Sequence, residues 1–130
     1  MKRHGLFGSN LCLMAARKGY RVKALVRTAA DTKPLVEGGA ELSLGDVTDR
    51  ASLDRAMSGV DNVIHCAAQI GGSWSKATVS DFEQVNMWGS INVLAAAERC
   101  GVKRTVQLLT PVLFDRSETF TEHSRIVPIG

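Results

Sequence analysis

The sequence predicts an α/β fold in which helices cover both faces of a doubly wound parallel sheet. Helical and strand-like patterns alternate along the chain, which is typical of this class. The segment NVIHCAA (62–68) is almost continuously apolar, as expected of a parallel strand covered on both faces. With 130 residues, 45% hydrophobic and 22% charged, the composition fits one globular domain and excludes disordered, collagen-like and disulfide-dense proteins.

The first third of the chain predicts a helix, a strand, a helical turn and a second strand. Residues 9–18 place apolar side chains at helical spacing, and Gly19 follows as a stop signal. The segment RVKALVR (21–27) alternates basic and apolar residues with the period of two that a strand requires. A helical turn over residues 32–39 then leads to a short strand over residues 40–44.

The middle of the chain continues the alternation. Asp49 is placed to cap a helix that runs to Met57, and the apolar strand 62–68 follows it. Ser80 and Glu83 have the Ser-x-x-Glu spacing of a capping box, which predicts the start of a long helix. The successive strands are therefore expected to be parallel and joined by right-handed crossovers.

The last third predicts one more strand and then a loss of pattern. The long helix ends before Gly101, and residues 105–109 indicate another buried strand. Residues 111–130 are polar without a strong period, so we expect a poorly ordered tail. Residues 1–130 together would then make a single partial domain.

The charge distribution points to a phosphate-bearing partner. Seven of the 16 lysines and arginines precede the first acidic residue, Asp31. Clustered cations attract a nucleotide or a nucleic acid, although a solvated helix face would give the same composition. No segment approaches the roughly 18 apolar residues of a membrane span, so no membrane partner and a cytoplasmic location are expected.

The three cysteines suggest neither disulfides nor a metal centre. Cys12, Cys66 and Cys100 are widely spaced, and the sequence contains no Cys-x-x-Cys pair. We expect no metal site, and we interpret the cysteines as small, buried apolar residues.

Ligand-binding residues are expected where the strands end, because parallel sheets bind ligands at their carboxyl edge. Gly5-Leu6-Phe7-Gly8 precedes the first helix, where glycines let a phosphate reach backbone N–H groups; a plain turn is the alternative. Arg27 ends the first strand, and a guanidinium at that point binds a ribose 2′-phosphate. Arg27 thus favours NADP over NAD, with an exposed strand-end arginine as the alternative.

Four short segments occur in a distinctive order. They are GLFG (5–8), GDV (45–47), HCAA (65–68) and VNMWGS (85–90). Together they resemble the short-chain dehydrogenase/reductase superfamily, in particular its extended branch of NAD-dependent epimerase/dehydratase type. The resemblance implies a Rossmann-like sheet, NADP or NAD as cofactor, and a small-molecule substrate for the complete protein.

The resemblance also implies a role for each segment. Gly5, Leu6, Phe7 and Gly8 would bind the pyrophosphate of the cofactor, and Arg27 would bind the 2′-phosphate. Asp46 and Val47 would contact the adenine. Ala67, Ala68 and Asn86 would contact the middle of the cofactor. Thr110 stands where the family places a catalytic Ser or Thr, four residues before the aromatic Phe114. Its hydroxyl would polarise the substrate's carbonyl or alcohol.

Two parts of the family pattern are missing. Only Met1-Lys2-Arg3-His4 precedes Gly5, so the first strand, which lies in the middle of the sheet, is absent. The only tyrosine is Tyr20, so the Tyr-x-x-x-Lys acid/base pair is absent too. Three outcomes are open for the sheet: its flanking strands close the gap, an outside strand fills it, or the chain is a fragment of a longer reading frame. We favour the fragment.

The leading hypothesis is therefore the NAD(P)-binding portion of an extended dehydrogenase/reductase that acts by hydride transfer and is inactive as this fragment. A non-catalytic nucleotide-binding or regulatory module is the alternative. A nucleic-acid binder is not expected, because the basic segment lacks aromatic platforms and a base-reading motif.

Overall fold

The computed structural model describes residues 5–70 and 76–109, together with Thr121 and His123. Helices and strands alternate, as the sequence predicts. Their order is α1 (Leu6–Arg17), β1 (Lys23–Val26), α2 (Lys33–Glu37), β2 (Glu41–Leu44), α3 (Arg50–Met57), β3 (Asn62–His65), α4 (Val79–Phe82), a π-helical segment (Glu83–Trp88), α5 (Gly89–Arg99) and β4 (Arg104–Gln107).

The four described strands form two separate parallel pairs. β1 pairs with β2 from Lys23↔Glu41 to Val26↔Leu44, and β3 pairs with β4 from Asn62↔Arg104 to His65↔Gln107. Within the described ranges β1 is not hydrogen-bonded to β3, so each pair keeps an open edge. The predicted incomplete parallel sheet is confirmed, and the outcome in which the flanking strands close the gap does not occur in this part of the chain.

One core lies between the first strand pair and the first two helices. Ala24 and Val26 of β1 point to the same face, as the alternating pattern predicts, and pack with Leu35 and Ala40. Cys12 and other half-buried residues of α1 cover this cluster. Lys23 of β1 and the flanking Arg21 and Arg27 alternate with the buried Ala24 and Val26, which explains why a charged segment forms a strand.

A second core lies between α3 and α5. Its buried members are Val47, Leu53, Met57, Val93, Ala96 and Ala97, and Leu25 and Val63 pack against it from the two strand pairs. Asp49 caps α3 as predicted, since its carboxylate accepts the N–H groups of Ala51 and Ser52. None of the helices in the described ranges is long and apolar enough to cross a membrane.

Two predicted strands are shorter and more exposed than expected. The apolar segment 62–68 is a strand only as far as His65, and the side chain of Ile64 is 47% exposed. The predicted buried strand 105–109 is β4, in which Val106 also stays exposed. The reason is that α5 packs on the face that carries Val63 and His65, whereas Ile64 and its partner Val106 point to the opposite, more exposed face.

The predicted helix starts are corrected at two places. α1 begins at Leu6 rather than at residue 9, because Gly5 has non-helical backbone angles (φ −50°, ψ 128°) and serves as its N-cap. The capping box is formed by Thr78 and Asp81 rather than by Ser80 and Glu83. Thr78 is extended, as an N-cap must be, whereas Ser80 already lies inside the helix.

Some predictions fall outside the described residues. These are the catalytic Thr110, its neighbour Phe114 and the tail 111–130, apart from the two isolated residues named above. The assignment of residues 1–130 to a single partial domain stays a prediction for the same reason.

Candidate functional site

The ends of β1 and β2 are joined directly. Gly45, the residue after β2, donates its N–H to the carbonyl of Val26, the last residue of β1, at 3.0 Å. This bond brings Arg27 and Asp46 to the same edge of the sheet. Arg27 is exposed there and forms no ion pair with any residue in the described ranges.

Asp46 is held in a defined turn above α3. Its N–H donates to Ser52 Oγ at 3.1 Å, and its Oδ1 accepts both the N–H and the hydroxyl of Thr48, each at 3.0 Å. Gly45 is required at this turn, because a Cβ there would overlap Ser52 and lie 2.9 Å from Leu25 Cδ1. The second carboxylate oxygen of Asp46 can therefore accept a hydrogen bond from a ligand without breaking the turn.

Val47 differs from Asp46 in that its side chain belongs to the core. It is buried in the α3–α5 cluster, and its carbonyl accepts a hydrogen bond from Asn92 Nδ2 at 3.0 Å. A Cβ on Gly89 would lie only 2.7 Å from Val47 Cγ2. Gly89 thus lets α5 approach the loop after β2, and at most backbone atoms of Val47 can face a ligand.

The N-terminus of α1 is open. No side chain in the described part of the chain caps it, so the first N–H groups, from Leu6 to Gly8, are available to an acceptor. The first turn contains no acidic residue, so the positive end of the helix dipole is not neutralised locally. This is the arrangement in which backbone amides bind phosphate groups.

The open N-terminus also borders an apolar surface. Leu6 is 81% exposed, and a hollow of about 410 Å³ is lined by Leu6, Phe7, Asn10, Leu11 and Met14. The hollow does not reach the strand ends at Arg27, Asp46 or Ala67.

Contacts place the start of α1 beside the end of β3. A Cβ built on Gly8 would lie 3.9 Å from the Cβ of Cys66, which follows β3 directly. Ala67 and Ala68, the next two residues, are exposed. Small exposed residues at this point leave room for a ligand that runs from the α1 N-terminus along the end of β3.

Asn86 holds the segment after β3 in place. Its Oδ1 accepts the N–H of Gln69 at 2.7 Å, and its Nδ2 donates to the Gln69 carbonyl at 3.0 Å. Asn86 lies in the π-helical segment, and local π-helical turns occur frequently at functional sites. The oxygen and the nitrogen of its side-chain amide therefore both bond to the protein backbone. Asn86 contributes to the site by fixing the position of residues 66–70.

His65 supports the same segment from inside. It is 4% exposed, and its Nε2 lies 3.2 Å from Ser90 Oγ. The Ser90 hydroxyl donates to the Asn86 carbonyl at 2.7 Å, so the His65 ring is assigned as the donor in its own contact with Ser90. Burial lowers the pKa of His65, which favours the neutral ring. His65 is thus a buried core histidine with a local partner, Ser90.

The structure thus links the predicted binding residues in two groups. Arg27 and Asp46 meet through Gly45, and Gly8 meets the Cys66–Ala68 segment, which Asn86 supports. Sequence reasoning missed the residues that position them. Among these are Gln69 and Asn92, which contact distant segments, and Ser52, which contacts Asp46 six residues away. Gly89 and Ser90 lie in the segment 85–90, but their contacts with Val47 and His65 were not predicted.

The chain matches the model of the NAD dependent epimerase/dehydratase family over residues 3–129. A curated relative, the 4-hydroxy-2-methyl-3-oxo-4-farnesyl-3,4-dihydroquinoline-1-oxide ketoreductase of Stigmatella aurantiaca, is 33% identical over 106 residues, which cover 82% of this chain and 31% of the relative. The chain spans about a third of the length of the first curated relatives it matches.

Solved structures show the same relationship. The Bordetella bronchiseptica enzyme WbmG, in complex with NAD and UDP, has a TM-score of 0.75 and 28% identity, covering 96% of this chain and 41% of WbmG. The Thermus thermophilus UDP-glucose 4-epimerase, in complex with NAD, has a TM-score of 0.80 and 25% identity, covering 95% of this chain and 42% of the epimerase. The predicted Rossmann-like fold and the predicted family are confirmed: the chain belongs to the NAD dependent epimerase/dehydratase family.

Proposed function

We propose that this chain is the NAD(P)-binding portion of an oxidoreductase or epimerase, and that it binds the dinucleotide along the carboxyl edge of its strands. The observation that carries the proposal is the uncapped N-terminus of α1 beside Cys66, at the end of β3. Free amides from Leu6 to Gly8 would bind the pyrophosphate, and the helix dipole would favour its charge.

The adenosine half would lie over the ends of β1 and β2. Asp46 offers a carboxylate oxygen to the adenine amino group, and the backbone of Val47 would border the ring. Arg27 is exposed and free of ion pairs within the described ranges, so its guanidinium is available for a 2′-phosphate. We therefore propose NADP as the preferred cofactor, although the two related structures are complexes with NAD.

The middle of the cofactor would pass Ala67 and Ala68. Both are exposed and small, so the ligand can approach the backbone closely. Asn86 acts there through Gln69, because the side-chain amide is already engaged. Thr110 stays our proposed catalytic hydroxyl, on the resemblance alone.

The reaction of the complete protein is also a proposal. The cofactor supplies hydride transfer, which suits an alcohol or carbonyl carbon of a small substrate. The curated relative is a ketoreductase, and WbmG was solved with UDP, so a nucleotide-sugar or another hydroxyl-bearing or carbonyl-bearing molecule is the proposed substrate class. Without a Tyr-x-x-x-Lys pair, the 130 residues themselves should bind cofactor without turning over substrate.

Calorimetry with NADPH and NADH tests the proposal. We expect NADPH to bind, and Arg27→Ala to weaken it about tenfold or more, the effect of losing charge-assisted hydrogen bonds. NADH affinity should change little. The matched control is Arg21→Ala, which removes the same charge at the other end of β1, where Arg21 pairs with Glu41 at 3.4 Å.

The outcomes separate the two parts of the proposal. Absence of binding for both dinucleotides would contradict the proposed function. Equal binding of NADH and NADPH, with no effect of Arg27→Ala, would contradict only the preference for NADP.

A further inference from the structure

Two of the three cysteines lie near the place where the start of α1 approaches the end of β3. Cys66 contacts α1 at Gly8, where a built Cβ would lie 3.9 Å from Cys66 Cβ. Cys12 lies one helical turn further along the same face of α1, and residues at this spacing have Cβ atoms about 5–6 Å apart. The two thiols therefore lie on facing surfaces of α1 and of the segment after β3.

The titration of the thiols gives a second indication that they are close. Burial raises the pKa of both thiols, and for Cys12 the neighbouring Cys66 raises it further. A like charge has this effect only when it lies nearby. Both cysteines are half-buried free thiols, so small reagents can reach them.

Cys100 is placed differently and serves as an internal reference. It packs against the α3–α5 core, and its Sγ donates weakly to the Asp54 carbonyl at 3.8 Å. The Cys12–Cys66 pair instead lies on the α1 side, where none of the α1 residues is fully buried. A disulfide requires a Cβ separation of about 3.5–4.5 Å, so closing the pair would move α1 toward the segment after β3.

We propose that Cys12 and Cys66 are a dithiol pair that closes to a disulfide in the presence of a small disulfide oxidant such as glutathione disulfide. One cysteine thiolate attacks the oxidant, forms a mixed disulfide and releases one glutathione. The second thiolate attacks the cysteine sulfur of the mixed disulfide and displaces the second glutathione. Two cysteines are oxidised, and the oxidant is reduced to two glutathiones, which take up the two protons.

The disulfide would join α1 to the end of β3. An effect on cofactor binding rests on the proposed function, because Gly8 and Ala67 border the proposed site. The cross-link itself does not depend on that function. Since the raised pKa values keep both thiols protonated near neutral pH, closure should become faster as the pH rises.

The test uses the wild-type chain incubated with glutathione disulfide at neutral and mildly alkaline pH. Remaining thiols are then alkylated, and tryptic peptides are identified by mass spectrometry. We expect a product lighter by two hydrogens, a cross-linked peptide pair containing Cys12 and Cys66, and an alkylated Cys100. Cys100→Ser should give the same cross-link, whereas Cys12→Ser should leave a glutathione adduct at Cys66.

The wild-type peptide map decides the question even if a variant does not fold. Glutathione adducts without a cross-link, a cross-link that includes Cys100, or no oxidation of either cysteine would overturn the proposal. Titration of the reduced chain with NADPH is read separately. Its failure would count against the proposed function and leave the dithiol assignment unaffected.

Discussion

Asn86 and Gln69 form a reciprocal hydrogen-bonded pair, in which the side-chain amide of Asn86 engages both the N–H and the carbonyl of Gln69. The two residues are 17 positions apart and belong to different segments. The Asn86 side chain thus hydrogen-bonds to Gln69 through both backbone groups, as a neighbouring strand would do in a sheet. It fixes the segment after β3 that borders the proposed cofactor site.

Replacing Asn86 by Asp should loosen this segment. The carboxylate keeps the acceptor for the Gln69 N–H but places a second oxygen opposite the Gln69 carbonyl, which removes a hydrogen bond worth about 1 kcal/mol. Amide hydrogen exchange at residues 66–70 should become several-fold faster. The control is Asn62→Asp, the same change at an exposed position of β3, which should leave amide exchange at residues 66–70 unchanged. Equal exchange rates at residues 66–70 in the two variants would contradict the role assigned to Asn86.

Gly89→Ala should lower the stability of the chain, whereas Gly8→Ala should not. Both substitutions improve helix propensity by about 1 kcal/mol. At Gly89 the new Cβ would lie 2.7 Å from Val47 Cγ2 and 3.2 Å from Val47 Cβ, and overpacking of this kind costs about 1–3 kcal/mol. At Gly8 the nearest atom is at an ordinary 3.9 Å.

Urea unfolding of the two variants measures the difference. We expect a lower midpoint for Gly89→Ala and an unchanged or higher midpoint for Gly8→Ala. A stabilised Gly89→Ala variant would show that α5 does not press against Val47.

Thr78→Ala should destabilise the start of α4, and Ser80→Ala should not. The Thr78 hydroxyl accepts the Asp81 N–H at 3.2 Å and Asp81 Oδ2 accepts the Thr78 N–H at 2.7 Å, so the first change removes a cap worth about 1 kcal/mol. Helicity by circular dichroism and the unfolding midpoint measure the loss. A larger loss of stability for Ser80→Ala than for Thr78→Ala would contradict the Thr78–Asp81 capping box and support the Ser80–Glu83 box predicted from the sequence.

His65 should make stability depend on pH. Burial lowers its pKa in the folded chain, so the unfolded chain binds the proton first as the pH falls. The free energy of unfolding should be fully retained above the usual histidine pKa of about 6.5 and decrease as the pH falls below it. His65→Gln keeps a donor near Ser90 without titrating, so its stability should decrease less over that range.

The control for this prediction is His123→Gln, at an exposed position. It should show the wild-type slope of stability against pH. A His65→Gln variant with the same slope as the wild type would show that His65 does not cause the dependence.

Local patterns predicted most of the fold. The alternation at 21–27 and the cap at Asp49 are properties of neighbouring residues, and both are confirmed. The start of α4 was misassigned because Thr78-x-x-Asp81 and Ser80-x-x-Glu83 satisfy the same rule, and only the backbone conformation distinguishes them. The exposure of Ile64 depends on which elements cover β3, which no local pattern shows.

The sequence predicted which segments form the candidate site, but not which residues hold those segments in position. The order of the glycine, Asp-Val and small-residue segments indicated the family. Asn86 was identified by position, yet its engagement with Gln69 depends on the π-helical segment that aims it. Ser52 carried no signal of its own. Gly89 lay in the segment 85–90 that indicated the family, but its contact with Val47 depends on how α5 packs.

The most direct test of dinucleotide binding at the strand ends is a titration of the isotopically labelled chain with NADPH, followed by amide NMR shifts. We expect saturable shifts at Gly5–Gly8, Arg27, Asp46 and Ala67–Gln69, with little change at the opposite end of the strands near Lys23 and Arg104. Shifts confined to that opposite end, or no saturable shifts at the predicted residues, would contradict it.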